Sequence, residues 1–276
     1  MRVVTMNVLG PANPNWDSRR RLIAATLQRL RPDIIALQEV PIGSAPEVVD
    51  ELLGPGYHVQ GFSRTAEDGV GGALATRRPH RVIGEIDQRC TARAESLPWC
   101  ATLIVEVDTP IGKVLAVHHK PSWPFGYELE RQQQAVAAAR TLEQHAARVD
   151  HVVVLGDFDA TPDAASMRFW RGRQPLDGIS VCYQDAWETV HTAEPGFTFT
   201  AVNPLVRAGE VATAVSRRID YILLRSGDHG PTLQVRSCDL VLDRPVEGVW
   251  ASDHFGVVAD LEAPDHAPGS WGAISF

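Results

Sequence analysis

Long apolar runs, excess basic charge, patterned cysteines and internal repetition are all missing from this chain. No apolar run reaches the length of a membrane span, which excludes a membrane-spanning helix. The opening residues, Met-Arg-Val-Val-Thr-Met, read as a strand and not as the charged-then-apolar pattern of a secretory leader. Four cysteines (Cys90, Cys100, Cys182 and Cys238) lack metal-ligand spacing, which argues against a cysteine-built metal site. A Cys90–Cys100 pairing stays open, with free thiols in a reducing cytoplasm the expected state. No linker, low-complexity run or repeat divides the chain.

Positive charge is also short. The formal net charge is −8, from 26 Lys and Arg against 34 Asp and Glu. A protein that clamps long duplex nucleic acid usually presents a basic face, so the total argues against a strong duplex binder. The clusters Arg19-Arg20-Arg21 and Arg217-Arg218 could form a local basic face, and each reads first as a solvated charged surface. There is no extended apolar hairpin for lipid docking and no lysine-arginine constellation suited to an inositol polyphosphate.

What remains is an ordinary globular composition: 276 residues, 44% hydrophobic and 22% charged. Layered α/β folds of this length are often one domain. The expectation is a single domain over 1–263 and a loosely packed tail over 264–276, where Trp271 and Phe276 are candidates to dock. The protein is expected to be a monomer.

The chain is organised around His151-Val-Val-Val-Leu-Gly-Asp-Phe-Asp-Ala-Thr-Pro162. An apolar strand, Val152 to Leu155, meets a glycine and then Asp157 and Asp159. In open α/β sheets, ligands sit at the carboxyl ends of strands. Two acids one residue apart point the same way if strand geometry persists, a pairing that suits a hard divalent cation. Thr161-Pro162 reads as N-cap and first helical position of a helix to Trp170.

Other strands follow the same plan. Strands are expected over Val3–Val8, Asp33–Glu39, Tyr57–Phe62, Gly71–Thr76, Arg81–Ile86, Ala101–Val107, Lys113–Val117, Phe197–Thr200, Arg218–Leu224, Leu233–Leu240 and Phe255–Leu261. Helices are expected from Asp17 or Ser18 to Leu30, over Ser44–Leu53 with Ser44 and Glu47 as a capping box, and over Tyr127–Ala147. The buried stripe of this last helix is Leu129, Val136, Ala139, Leu142 and Ala146. Polar or acidic residues recur at or beside strand ends: Asn7, Glu39, His118, Asp157 with Asp159, Asp220, and Asp253 with His254. Alone, each has a plain structural reading. Glu39 could be a surface acid, Asp220 an ion-pair partner of Arg217 or Arg218, and His118 or His119 a hydrogen-bonded core histidine.

Taken in order, Thr5-Met-Asn-Val8, Leu37-Gln-Glu39, Val117-His118, Gly156-Asp-Phe-Asp159, Arg218-Ile-Asp-Tyr221 and Ser252-Asp-His254 are more specific. Together they resemble the endonuclease/exonuclease/phosphatase superfamily. The resemblance implies an α/β fold, a four-layered α/β sandwich of two mixed β-sheets packed face to face with helices outside. It implies a Mg²⁺-dependent phosphoesterase, with Mn²⁺ as a substitute, whose site lies at one edge of the sandwich. By motif, Glu39 would be the principal metal ligand, Asn7 would order metal or nucleophile, and Asp253 would support the metal side. His118 would contact the scissile phosphate or assist the leaving oxygen. Asp157 would orient or deprotonate water, Asp220 would fix the His254 tautomer, and His254 would be general base or phosphate-stabilising imidazolium.

One position departs from the pattern. Asp159 stands where the family usually has asparagine, and a carboxylate there repels phosphate unless a cation intervenes. Asp159 is therefore expected to ligate metal, as part of a second ion site, with a tolerated swap held by a local hydrogen bond as the alternative. Three functional readings follow. The first is a phosphodiesterase or nuclease acting on nucleic acid or nucleotides; the aromatics Trp16, Trp99, Trp123, Phe125 and Trp250 could stack a base or cover an apolar group, and each tryptophan reads first as a core residue. The second is a phosphatase or phosphodiesterase for a small metabolite or lipid headgroup. The third is a catalytically silent binding module.

Overall fold

The computed structural model describes residues 1–213 and 215–272. The first sheet has strand order β12-β13-β1-β2-β4-β3, built from β1 (Arg2–Asn7), β2 (Ile34–Val40), β3 (His58–Gly61), β4 (Gly71–Thr76), β12 (Gln234–Val241) and β13 (Gly256–Glu262). The second runs β11-β10-β8-β7-β6-β5, from β5 (His80–Asp87), β6 (Ala101–Thr109), β7 (Gly112–Lys120), β8 (His151–Asp157), β10 (Asp220–Gly227) and β11 (Gly230–Pro231). A short β9 (Tyr183–Asp185) adds to β10.

Both sheets are mixed in the same way. Each centres on one parallel pair, β1 with β2 and β7 with β8, and their other pairings are antiparallel. A parallel pair needs a crossover, commonly a helix. The helices α1 (Trp16–Leu30) and α3 (Glu128–Ala146) supply the two crossovers.

Side-chain alternation then sorts the core. On β1, Val3 joins the cluster between the sheets, while Val4 and Met6 face α1 and α2 (Glu47–Leu53). On β7 and β8, Val114, Ala116, Val153 and Leu155 point between the sheets. Leu115, Val117, Val152 and Val154 pack under α3 and α4 (Ala165–Trp170). The result is the expected sandwich of helices, sheet, sheet and helices.

Several local expectations differ. Ser44 does not cap α2, because residues 41–45 form their own turn, with Ala45 N–H donating to Pro41 O at 2.7 Å. Thr161-Pro162 does not start α4. Thr161 Oγ1 bonds the Asp163 carboxylate and a turn intervenes, so the helix begins at Ala165. Leu129 is 59% exposed, since the inward face of α3 begins with the polar Glu130 and Arg131 and its apolar stripe only at Ala135. Residues 197–200 contribute two isolated bridges, from Phe199 to Arg217 and to His254, instead of a strand. All four cysteines are free. Trp271 is 91% exposed and does not dock, and Phe276 lies outside the described residues.

Gly156 fixes how β8 delivers its terminal acid. Its φ is 157°, and an added Cβ would lie 1.9 Å from the carbonyl oxygen of His119 on β7. A side chain would therefore force the central parallel pair apart. Gly156→Ala is expected to lower stability by about 3 kcal/mol, as measured by urea unfolding. An unchanged midpoint would mean that the strand relaxes freely at this position.

Candidate active site

The two parallel pairs end at the same edge of the sandwich. Asn7 closes β1 and Glu39 lies at the end of β2. Lys120 closes β7 and Asp157 closes β8. The antiparallel neighbours start where these end. Asp220 opens β10 opposite Asp157, and His254 stands just ahead of β13, the neighbour of β1. Asn7, Lys120, Asp157 and Asp220 share the inward parity of Val3, Ala116, Leu155 and Ile222, so all four point between the sheets. There Lys120 and Asp157 meet a cavity of about 810 Å³ that Glu39, Asp159, Asp253 and His254 also help to line, a size usual for ligand sites.

A chain of charged groups crosses the floor. His254 Nδ1 lies 3.0 Å from Asp220 Oδ2, and its Nε2 lies 4.0 Å from Asp157 Oδ2. Lys120 Nζ donates to Asp157 Oδ2 at 2.8 Å and also to Asp159 Oδ2. Burial disfavours a charged imidazole, but the carboxylates of Asp220 and Asp157 outweigh it and hold the His254 pKa well above the ordinary value. Burial likewise opposes ionisation of Asp157, yet Lys120 and His254 pull its pKa down. Ligand atoms of Asp157, Asp220 and His254 lie within 4.8 Å of one another. Because Nδ1 is committed to Asp220, these three form a carboxylate–imidazole–carboxylate relay more than an open set of metal ligands.

Glu39 reaches the same floor by a different device. The β2–β4 register advances from Leu37↔Ala73 to Val40↔Gly71, so β2 carries one extra residue there. Glu39 takes a left-handed φ of 60° within that bulge. Asn7 Nδ2 donates to Glu39 Oε1 at 2.8 Å and to Asp157 Oδ2 at 3.2 Å, while its Oδ1 accepts from Leu9 N–H. Asn7 thus ties two carboxylates together through Nδ2 and holds the turn at Leu9 through Oδ1. Burial, and then the nearby charge of Asp253, raise the Glu39 pKa. Among the described residues no lysine or arginine forms an ion pair with Glu39 or Asp253. Two hard oxygen donors facing one cavity without a cation fit a divalent ion such as Mg²⁺.

His118 lies elsewhere. It has the parity of Lys120 but sits one pleat deeper, fully buried, against the Phe62 ring at 4.6 Å and bonded to Gln38 Nε2 at 2.8 Å. Burial lowers its pKa to about 3. It lines no part of the cavity and takes the core-histidine reading; the strand-end residue of β7 is Lys120. Continuing the alternation Val114, Ala116, His118 by one step reaches that lysine. His119 faces the opposite way, bonded to Thr102 Oγ1 at 2.7 Å beside Phe158.

The arginine clusters also resolve. Arg19 is buried and donates to the carbonyls of Val8, Gly10 and Pro14, stapling the loop after β1. Arg218 pairs with Asp185 at 2.5 Å and with Glu188, and not with Asp220, whose partner is His254. Arg217 lies over the rings of Phe125 and Phe199, 4.3 and 5.3 Å from their centroids. Trp99, Trp123 and Phe125 line the cavity, with Trp123 and Phe125 largely exposed. Trp16 and Trp250 do not line it.

The family model described as "Endonuclease/Exonuclease/phosphatase family" matches residues 4–254. The chain belongs to this family. It is accordingly a hydrolase of phosphoric ester bonds, in a family whose enzymes generally use divalent metals. No curated protein matches it by sequence. Among solved structures it is similar to truncated Caenorhabditis elegans TDP2, with TM-score 0.72 and 18% identity, covering 95% of this chain and 97% of that one. D. rerio TDP2 complexed with single strand DNA product gives TM-score 0.70 and 21% identity over 95% and 99% of the two chains. The human Nocturnin catalytic domain with bound sulfate anion gives 0.67 and 21% over 96% and 94%. At these identities the likeness shows a shared fold.

The electrostatics predict two opposite histidine titrations, checked by NMR of labelled imidazoles. His254 is expected to stay protonated above the ordinary histidine range, and Asp220→Asn to bring its pKa down. His118 is expected to show no titration between pH 5 and pH 9. A His254 titration that ignores Asp220→Asn would break the proposed coupling.

Proposed function

We propose that the protein is a Mg²⁺-dependent phosphodiesterase acting on nucleic acid or nucleotides presented as a single strand. The observation that carries this reading is the pairing, in one cavity, of the floor of acids and His254 with an aromatic wall of Trp99, Trp123 and Phe125. Aromatic faces stack unpaired bases and are indifferent to their sequence. Arg217, held over Phe125 and Phe199, adds a positive charge to that wall. The net charge of −8 disfavours a duplex clamp. The single-strand product in the D. rerio TDP2 structure accords with this substrate geometry.

Glu39 and Asp253 would hold the metal, which supplies Lewis-acid neutralisation of a phosphoryl oxygen. The chain's own groups do the rest. His254, kept as imidazolium by Asp220, donates from Nε2 to a phosphate oxygen as charge develops there. Asp157, fixed by Asn7 and Lys120, is the unprotonated group left beside it to orient water and accept its proton. Since the imidazolium is the working form, the rate should fall as pH rises through the elevated His254 pKa.

A substrate panel tests the proposal: single-stranded oligonucleotide, plasmid duplex, a bis-aryl phosphodiester and aryl phosphomonoesters, each with and without Mg²⁺. Hydrolysis is expected for the single strand and the diester. Glu39→Gln and His254→Ala should each lose about 10²–10⁴-fold in kcat. Turnover confined to monoesters would favour the small-metabolite phosphatase, and no turnover at all would favour the silent module.

A further inference from the structure

Lysine is rare here. Of 26 Lys and Arg residues, only Lys113 and Lys120 are lysine. Lys113 is a half-exposed partner of Glu106. Lys120 is the buried one, its side chain 3% exposed in the floor of the cavity. An ammonium out of water is unfavourable unless it is closely paired. Its pairing is therefore the informative feature.

Two carboxylates converge on its single nitrogen. Asp157 Oδ2 lies 2.8 Å from Nζ, and Asp159 Oδ2 bonds the same atom. The backbone is bent to make this happen. Asp159 adopts a left-handed φ of 52°, and its N–H returns to Asp157 Oδ1 at 3.2 Å. Two acids one residue apart thus aim at one point, as ligands of a hard cation would. That point holds a compact point charge, which an ammonium matches and a broad planar guanidinium does not. Glu39 and Asp253, in the same cavity, have no such partner among the described residues.

We propose that Lys120 Nζ occupies the position of a second divalent cation between Asp157 and Asp159. The cavity then holds one metal, at Glu39 and Asp253, and Lys120 is the built-in second positive charge facing a bound phosphate. Asp159 is a positioning residue for Lys120 and not a metal ligand. The two-acid signal at the end of β8 is a cation site, already filled by the chain itself. This inference rests on the metal centre proposed above.

The test counts bound ions, using the intact protein and Mn²⁺ alone, by equilibrium binding with electron paramagnetic resonance detection. The wild type should bind one Mn²⁺ per chain. Asp159→Asn should also bind one, with affinity within about threefold, since asparagine tolerates the left-handed backbone. Lys120→Met should gain a second Mn²⁺. Should that variant fail to fold around two unpaired acids, the double variant Lys120→Met with Asp159→Asn relieves one charge and should return to one ion. Two ions in the wild type, or an ion lost in Asp159→Asn, would overturn the assignment of Lys120. No Mn²⁺ bound by the wild type would instead overturn the metal centre itself, and this inference with it. Activity provides a second readout. Lys120→Met should lose about 10²-fold in kcat at low Mn²⁺ and recover part of it as the second ion enters.

Discussion

Too many carboxylates in too little water is the constraint on which this molecule turns. Glu39, Asp157, Asp159, Asp220 and Asp253 meet at one edge of the sandwich. Burial raises the energy of the ionised forms of Glu39, Asp157, Asp159 and Asp220, and repulsion from neighbouring carboxylates adds to it. The structure answers with separate cations. Lys120 serves Asp157 and Asp159, and His254 serves Asp220 and Asp157. Glu39 is left with the Asn7 amide and Asp253 with the Ser252 hydroxyl, and neither has an ion-pair partner among the described residues. That unmet demand is what a divalent ion would satisfy, and it makes a site for an anionic ester out of an acidic surface.

The scaffold places these groups by simple rules. Two parallel strand pairs with helical crossovers bring four carboxyl ends to one edge, and antiparallel neighbours start there. Period-two alternation decides which residue of each end looks inward. A bulge with a left-handed Glu39 adjusts the position where plain alternation would not serve, and the glycine at 156 lets β8 lie close against His119 of β7. Both are departures from relaxed backbone, and both sit at or beside acids of the site.

The same alternation explains what the sequence showed and what it hid. The strands with continuous apolar runs were legible, as was the end acid on each of β2 and β8. His118 looked like a site residue because histidine at a strand end is chemically suggestive. Its strand, however, runs two residues further, to Lys120, and that shift puts the imidazole one layer into the core beside Phe62. Short helices were least legible. Ser44 and Thr161-Pro162 carry the right residue types for helix starts, yet local turns claim them first. Asp159 was legible as an anomaly, a charge where an amide is usual. Its partner lies 39 residues earlier on another strand, and no local pattern connects them.

By itself the sequence determined the family, the layered α/β class and the inventory of acids and histidines, because motif order and apolar periodicity are properties of the chain read along its length. Only the tertiary structure decided which of those groups face one another, since that depends on strand parity and on register between strands distant in sequence. Asn7 became a tie between two carboxylates, His118 a core residue, and Arg217 part of an aromatic wall. Lys120, unmarked by any motif, became the cation that holds the Asp157–Asp159 pair.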